Sequence, residues 1–293
     1  MRLQDWVRLL PLAAVWGFSF IFMRVLAPVL GPAATTTVRI FGAGLLMCMW
    51  FSAFGPRVDW ARHWKPLLVM GLLNSCIPSL FLNFTAVSLP AGYLAVINSG
   101  VPLFTAVFAA LWLGEALTRR KIAGLLMGVA GVALVCSDGL RADPSGGQAA
   151  FFIAIAAAVI AIAFYGMGAV LIRRHAGDIP PTVLAGGTQF MGGLATVPLA
   201  FALAPDVAAV EQAGLTKIGL NAAALILLCS VLAYTLYYRL LRDVGPARTT
   251  TVTLLIPLFA LLWSVVFLHE SATPAMLAGC ALVLLSTVLA IKR

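Results

Sequence analysis

Charge is what this chain has least of. Only 10% of its 293 residues are charged while 62% are hydrophobic, too little polar material to cover a water-soluble globule of that length. A soluble domain is excluded, and a lipid bilayer is the solvent that fits. Acidic residues are the scarcer sign, ten against nineteen Lys and Arg for a formal +9. In a soluble protein that excess would point to nucleic acid; here the basic residues cluster between apolar runs, which membrane topology explains and which leaves nucleic acid no role. The five cysteines (Cys48, Cys76, Cys136, Cys229, Cys280) lie in or at the ends of apolar runs with no Cys-x-x-Cys pair. They read as small core residues, so neither a disulfide frame nor a metal site is expected. No Asp or Glu lies deep in an apolar run, and His63, His175 and His269 all fall between runs. The mid-membrane carboxylate or histidine relay of proton-coupled pumps therefore has no candidate. A phosphate-cradling Gly-rich loop with Lys-Ser/Thr and a His-Glu-x-x-His are also missing, so ATP hydrolysis and zincin chemistry lack their parts. No serine is paired with a buried base. No cofactor and no enzyme activity are expected.

What is present is a series of long apolar runs. A crossing needs about 20 apolar residues at 1.5 Å each, and ten segments qualify: 8–30, 33–54, 66–87, 91–113, 119–137, 149–172, 181–203, 218–240, 247–268 and 274–291. Pro32, Pro66, Pro90, Pro181 and Pro274 lie near starts, where a missing amide proton costs least. The first run has no small-residue cleavage site and is expected to be a retained span. Counted over alternate connections, fifteen Lys and Arg fall on one side and three (Arg24, Arg141, Lys217) on the other, with Arg39 inside the second run. The positive-inside bias predicts both termini in the cytoplasm.

The chain also repeats itself. At an offset of 155, Val101-Pro102-Leu103-Phe104 falls on Ile256-Pro257-Leu258-Phe259, then Leu113, Glu115 and Thr118 fall on Leu268, Glu270 and Thr273. At an offset of 149, Trp16-Gly17 falls on Tyr165-Gly166, Arg24 on Arg173 and Pro32 on Pro181. Two units follow, 1–147 and 148–293, each of five spans, with the polar stretch Asp138 to Gln148 between them. Five is odd, so the second unit enters the membrane from the opposite face. The predicted fold is all-α and integral to the membrane, with ten transmembrane helices in two inverted five-helix repeats around a central cavity, an arrangement suited to alternating access.

Several residues carry two readings each. Glu115 and Glu270 are a gate or proton site, or caps for the helix that follows, with Thr118 and Thr273 as N-caps. Pro102 and Pro257, near mid-span, are static kinks or moving hinges, and Pro78 in the third span has no counterpart in the eighth, where Ala233 aligns. Arg39 attracts a substrate carboxylate, or ties helices together or snorkels to the surface. Trp16, Ser19, Phe20, Asn74, Ser79, Asn83, Asn98, Tyr165, Gln189, Tyr234 and Tyr238 line a polar, aromatic-walled cavity, or bond to neighbouring helices. Gly124-x-x-x-Gly128, Gly131, Gly186-Gly187 and Gly192-Gly193 read as close helix packing.

The ten spans, Trp16-Gly17, Arg39 and the doubled Pro-then-Leu-x-Glu blocks at 102–115 and 257–270 resemble the drug/metabolite transporter superfamily, specifically its EamA-type exporters. The resemblance covers essentially the whole chain and is similar in layout to bacterial exporters of aromatic and other neutral amino acids. It implies a carrier of the cell inner membrane, with spans 1, 3, 4, 6, 8 and 9 around a cavity and spans 5 and 10 outside. Expected partners are a small-molecule substrate, neutral or aromatic amino acids foremost, and the lipid bilayer, with a monomer as the working unit. Without a buried carboxylate, movement is expected to be facilitative. Export of drugs or another metabolite is the alternative within transport; a membrane enzyme or an assembly partner is the alternative outside it.

Overall fold

The computed structural model describes residues 3–55, 59–142, 148–177, 179–244 and 252–291. Every regular element among them is helical, as a solvent without hydrogen-bonding partners demands. Six stretches are long and apolar enough to cross a membrane: Leu9–Phe54, Trp60–Ser88, Ala91–Leu113, Gln148–His175, Pro181–Ala202 and Leu215–Tyr237. Leu255–Leu268 and Pro274–Leu289 are apolar but shorter.

Helix α1 (Leu3–Phe54) is two arms joined at Gly31, whose φ of 78° and ψ of 161° leave the helical region. Only glycine takes that conformation without strain, and Pro32 beside it has no amide to contribute. Helix α2 (Trp60–Gly71) starts before the predicted residue 66, because the Asp59 carboxylate accepts from Arg62 N at 3.1 Å and caps it there. Pro66 therefore sits inside that helix.

The third and eighth predicted spans are not regular helices. Between α2 and α3 (Ile77–Ser88) lies a π-helical turn, Leu72–Cys76, and between α10 (Leu215–Ile226) and α11 (Ala233–Val244) lies another, Leu227–Leu232. The two begin 155 residues apart, the offset of the sequence repeat. Ser230 Oγ donates to Leu225 O, five residues back, at 3.2 Å. Pro78 stands directly after the first turn, yet the second forms without a proline. What the two spans share is the π-turn, not Pro78.

The predicted run 91–113 is broken into α4 (Ala91–Asn98) and α5 (Val101–Leu113), parted at Ser99–Gly100. Pro102 falls in the first turn of α5, where no donor is required. Its counterpart Pro257 stays inside α12 (Val252–Leu268). The expected pair of equivalent kinks is thus one true break and one proline within a helix. The predicted linker is shortened as well: α6 (Arg119–Ala142) runs on past Asp138, and α7 (Gln148–His175) begins at the end of the linker. Helix α8 (Pro181–Ala202), the short α9 (Val207–Ala213) and α13 (Pro274–Ile291) complete the chain.

Small residues set the closest contacts. A Cβ on Gly131 of α6 would meet Gly279 O of α13 at 2.9 Å, and one on Gly192 of α8 would meet Gly71 O at 2.6 Å. Helices α6 and α13 pack chiefly on each other. The largest apolar core is drawn from α1, α3, α4, α7, α11 and α12, joined by Val135 of α6 and Met276, Cys280 and Val283 of α13, with Leu12, Met23, Leu94, Ile97, Leu240 and Leu261 among its buried side chains.

Candidate substrate site and the two ends of the core

Arg39 lies on the second arm of α1, and its Nη1 donates to Met23 Sδ on the first arm at 3.1 Å. A thioether is a weak acceptor. The Arg39 charge also acts on Tyr165 of α7, on Cys229 in the second π-turn and on Tyr234 of α11. Among the described residues it has no carboxylate partner. Trp16 closes the wall, its ring centroid 5.9 Å from that of Tyr234, edge-on, and 5.4 Å from that of Tyr237. The arrangement is a guanidinium bonded to a thioether, within electrostatic reach of tyrosines on α7 and α11, the latter packed on Trp16.

A second polar group joins it along α1. Asn83 is fully buried, and its Nδ2 donates to Thr36 Oγ1 and to Ser79 O, both at 2.9 Å. Asn83 Oδ1 and Thr35 Oγ1 have no partner. Thr36 and Arg39 are three residues apart and share a helix face. An acceptor and a cation thus stand about one turn apart, a pairing that suits a ligand with an ammonium and a carboxylate.

The other predicted residues distribute unevenly. Ser19 returns its hydroxyl to Trp16 O at 2.7 Å, and Phe20 is buried in the apolar core. Gln189 reaches Met47 Sδ at 3.7 Å and ties α8 to the second arm of α1. Asn74 lies in the first π-turn, packed so closely on α7 that a Cβ on Gly168 would meet its Cβ at 2.7 Å. Asn98 ends α4 with Oδ1 unpartnered. The Tyr238 side chain lies outside the described residues, and Tyr237 joins Tyr234 against Trp16. Met23, Thr35, Thr36 and Tyr237 join the candidate site although sequence reasoning passed over them, whereas Cys229 donates its thiol to Val15 O within an apolar cluster. Only Tyr237, three residues beyond Tyr234, carried a usable signal.

The repeated Leu-x-Glu blocks fold alike. Gly114 (φ 69°) and His269 (φ 54°) both take the left-handed turn that ends a helix. Glu115 N then bonds Ala109 O at 3.3 Å and Glu270 N bonds Ser264 O at 3.2 Å, each six residues back. That turn ends the helix and sets the glutamate in the connection to the next one. The expected capping of the next helix by glutamate is not what Glu270 does. Its Oε1 and Oε2 accept from Ala91 N, at the start of α4, at 3.2 and 3.0 Å. Thr273 Oγ1 accepts from Met276 N at 3.2 Å and Thr118 Oγ1 from Lys121 N at 3.3 Å, so threonine serves the following helices.

Each glutamate also meets an arginine from the other copy of the sequence repeat. Arg24 Nε lies 3.8 Å from Glu270 Oε1, while its Nη1 donates to Ala86 O and Val87 O at 2.9 and 2.6 Å. Arg173 Nη1 donates to Glu115 Oε1 at 2.7 Å, and Lys121 Nζ to Oε2 at 3.3 Å. Glu270 touches the first residue of α4 and Glu115 follows the last turn of α5, so the pairs stand at opposite ends of a run about 34 Å long. Their settings differ. Side-chain exposure is 30% and 16% for Arg24 and Glu270, but 66% and 34% for Arg173 and Glu115. Burial raises the Glu270 carboxyl above its ordinary value despite the Ala91 and Gly92 amides, Arg24 and Ser264. The Arg173 hydrogen bond, then Lys121, holds Glu115 below its own. A concavity of about 510 Å³ opens beside the buried pair, lined by Arg24, Pro28, Val87, Leu268 and Glu270.

These observations define a polytopic helical membrane protein with a polar, aromatic-lined interior. The EamA-like transporter family model matches residues 6–137 and again 152–292. The chain belongs to that family. It is similar to protein PecM of Dickeya dadantii, at 26% identity over 95% of this chain and 89% of the relative. A probable terminal-alkyne amino-acid exporter of Streptantibioticus cattleyicolor is 26% identical over 100% of this chain and 95% of its own. A solved crystal structure, 20% identical, superposes over 99% of this chain and 97% of its own with a TM-score of 0.67, a likeness of fold.

Proposed function

We propose that this chain exports small zwitterionic metabolites, neutral or aromatic amino acids foremost, across the cell inner membrane by facilitative alternating access. One observation carries the substrate class: Arg39, inside the bundle, has a thioether and an aromatic wall but no carboxylate. A half-buried arginine left in that state is a site awaiting an anionic group. The substrate carboxylate takes Arg39, its ammonium takes the unfilled Asn83 Oδ1 region, and its side chain lies against Trp16, Tyr165 and Tyr234. The name of the Streptantibioticus relative agrees with an amino-acid cargo.

Alternating access is supported by the repeat. Ten crossings are the count that fits, because α1 is too long for one passage and breaks at Gly31. In this reading 1–147 and 148–293 are inverted halves, and the matching π-turns, left-handed helix ends and arginine–glutamate pairs are the same parts placed at opposite faces. The basic clusters put both termini in the cytoplasm, so the Glu270 pair faces outward and the Glu115 pair inward.

The test is net efflux of labelled tryptophan, threonine and methionine from liposomes holding the purified protein, with and without a pH gradient. Saturable efflux that the gradient leaves unchanged is expected. No efflux from folded protein removes the amino-acid assignment, and accumulation driven by the gradient removes the facilitative one.

A further inference from the structure

The two arginine–glutamate pairs are crossed between the copies of the repeat, and each sits above a glycine contact. A Cβ on Gly17 of α1 would meet Phe259 Cβ at 2.9 Å and Ala260 N at 3.0 Å of α12, and one on Gly166 of α7 would meet Phe104 Cβ and Thr105 N of α5, both at 2.7 Å. Gly17 and Gly166 are equivalent at the 149 offset, as Phe104 and Phe259 are at the 155 offset. In both copies the arginine follows its glycine by seven residues, two helical turns on the same face, about 10 Å away. Helices α1 and α12 thus touch backbone to backbone near their middles and close at one end through Arg24 and Glu270. Helices α7 and α5 do the same at the other end through Arg173 and Glu115.

We propose that these are two reciprocal latches, each a glycine pivot with an arginine–glutamate closure, that shut opposite faces in turn, and that only the Glu270 closure depends on charge. The proposal rests on the alternating-access reading. The asymmetry follows from solvent. A pair largely withdrawn from water gains little over two hydrated ions, which suits a closure that must open, but losing one partner strands the other charge. Glu270 is in that position: its closed state takes a carboxylate out of water, and Arg24 is the one cation that meets it among the described residues. Arg24 also binds the Ala86 and Val87 carbonyls, so it joins the end of α3 to the start of α4 through Glu270. Glu115 and Arg173 stay in water, where an ion pair contributes little and its loss strands nothing.

Tyr234, partly buried and set against Trp16 in the wall of the site, supplies the reporter position. Cys48, Cys76, Cys136, Cys229 and Cys280 are changed to alanine and Tyr234→Cys is introduced, and a membrane-impermeant maleimide is applied from one face, then the other, in right-side-out and inverted vesicles. Arg24→Gln raises labelling from the Glu270 face by about tenfold, because the stranded carboxylate opposes closure. Arg173→Gln changes labelling from the Glu115 face by less than about threefold. Arg24→Gln with Glu270→Gln returns to within about threefold of the parent, since no charge is left to strand. An Arg24→Gln protein that labels like its parent, or a double variant as open as the single, overturns the latch. If Arg24→Gln does not fold, the double variant decides: it is expected to label like the parent, and an open double variant overturns the proposal. Labelling of the parent from only one face, or from neither, counts instead against alternating access.

Discussion

Arg39 is the one charge within the apolar run 33–54. An arginine well inside the hydrocarbon costs about 2.5 to 3.5 kcal/mol on insertion scales, and Met23 Sδ at 3.1 Å returns little of it. Replacing it should therefore spare the fold and harm binding. Arg39→Gln is expected to raise the KM for a neutral amino acid about tenfold or more, the value of a charge-assisted hydrogen bond, with a maximal rate within a few-fold of the parent. Saturation curves in liposomes decide it, and an unchanged KM would assign Arg39 to helix packing. The position of Arg39 was legible because a lone charge in an apolar run stands out; its surroundings were not. Spacing offered Tyr238, four residues past Tyr234, and passed over Tyr237, whose ring meets Trp16. The π-turn just upstream adds a residue and turns the phase of α11, which no propensity in Leu227–Leu232 announces.

Elements end where local chemistry says they must. His269 holds a φ of 54° that Gly114 adopts freely at the equivalent position. His269→Gly is expected to stabilise the protein by about 1 kcal/mol, and Gly114→Ala to cost about as much; opposite shifts of the thermal midpoint would confirm both, while a loss in both would place the value of His269 in its side chain. Gly17→Ala and Gly166→Ala force a methyl against backbone and should each cost about 1 to 3 kcal/mol, with exchange slowed in proportion. A Gly17→Ala protein of parental stability and rate would mean that α1 and α12 have room to part.

The glutamate ends respond differently to acid. Glu270 is raised by burial, against the Ala91 and Gly92 amides of α4, Arg24 of α1 and Ser264 of its own helix. Its closed state binds protons better than a hydrated open state. Closure at that face is therefore favoured below the ordinary carboxylate value and weakens as pH rises through the raised one. Labelling of the Tyr234→Cys reporter from the Glu270 face should fall as that side is acidified, and Glu270→Gln should abolish the dependence. Labelling that rises with acid would reverse the sign and contradict the account. Glu115, held low by Arg173 and Lys121, keeps its pair as pH falls until its lowered value is reached, so the opposite face should not respond near neutrality. Glu270 lies in a connection, as its place in the sequence led one to expect. Its contact with the start of α4, half-withdrawn from water, is set by the backbone turn at His269, which residue type alone does not reveal.

For the molecule as a whole, the duplication was the strongest signal, and its meaning is three-dimensional. Offsets of 149 and 155 aligned Gly17 with Gly166, Arg24 with Arg173 and Glu115 with Glu270, but not which copy each would meet. In the fold each arginine meets the other copy's glutamate, so the two copies close each other. Helix starts at Pro181 and Pro274 and the Thr118 and Thr273 caps were readable from local rules. The Asp59 start was open to the same capping rule, whereas the Ser99–Gly100 break within an unbroken apolar run was not.

The central claim is that one site faces the two sides in turn. Trans-stimulation tests it most directly: labelled tryptophan uptake into liposomes preloaded with unlabelled tryptophan is compared with uptake into empty ones. An alternating carrier that returns faster loaded than empty should take up label several-fold faster with cargo on the far side. Uptake that is equal in both, or that grows without saturation, would contradict alternating access and describe a passive pore.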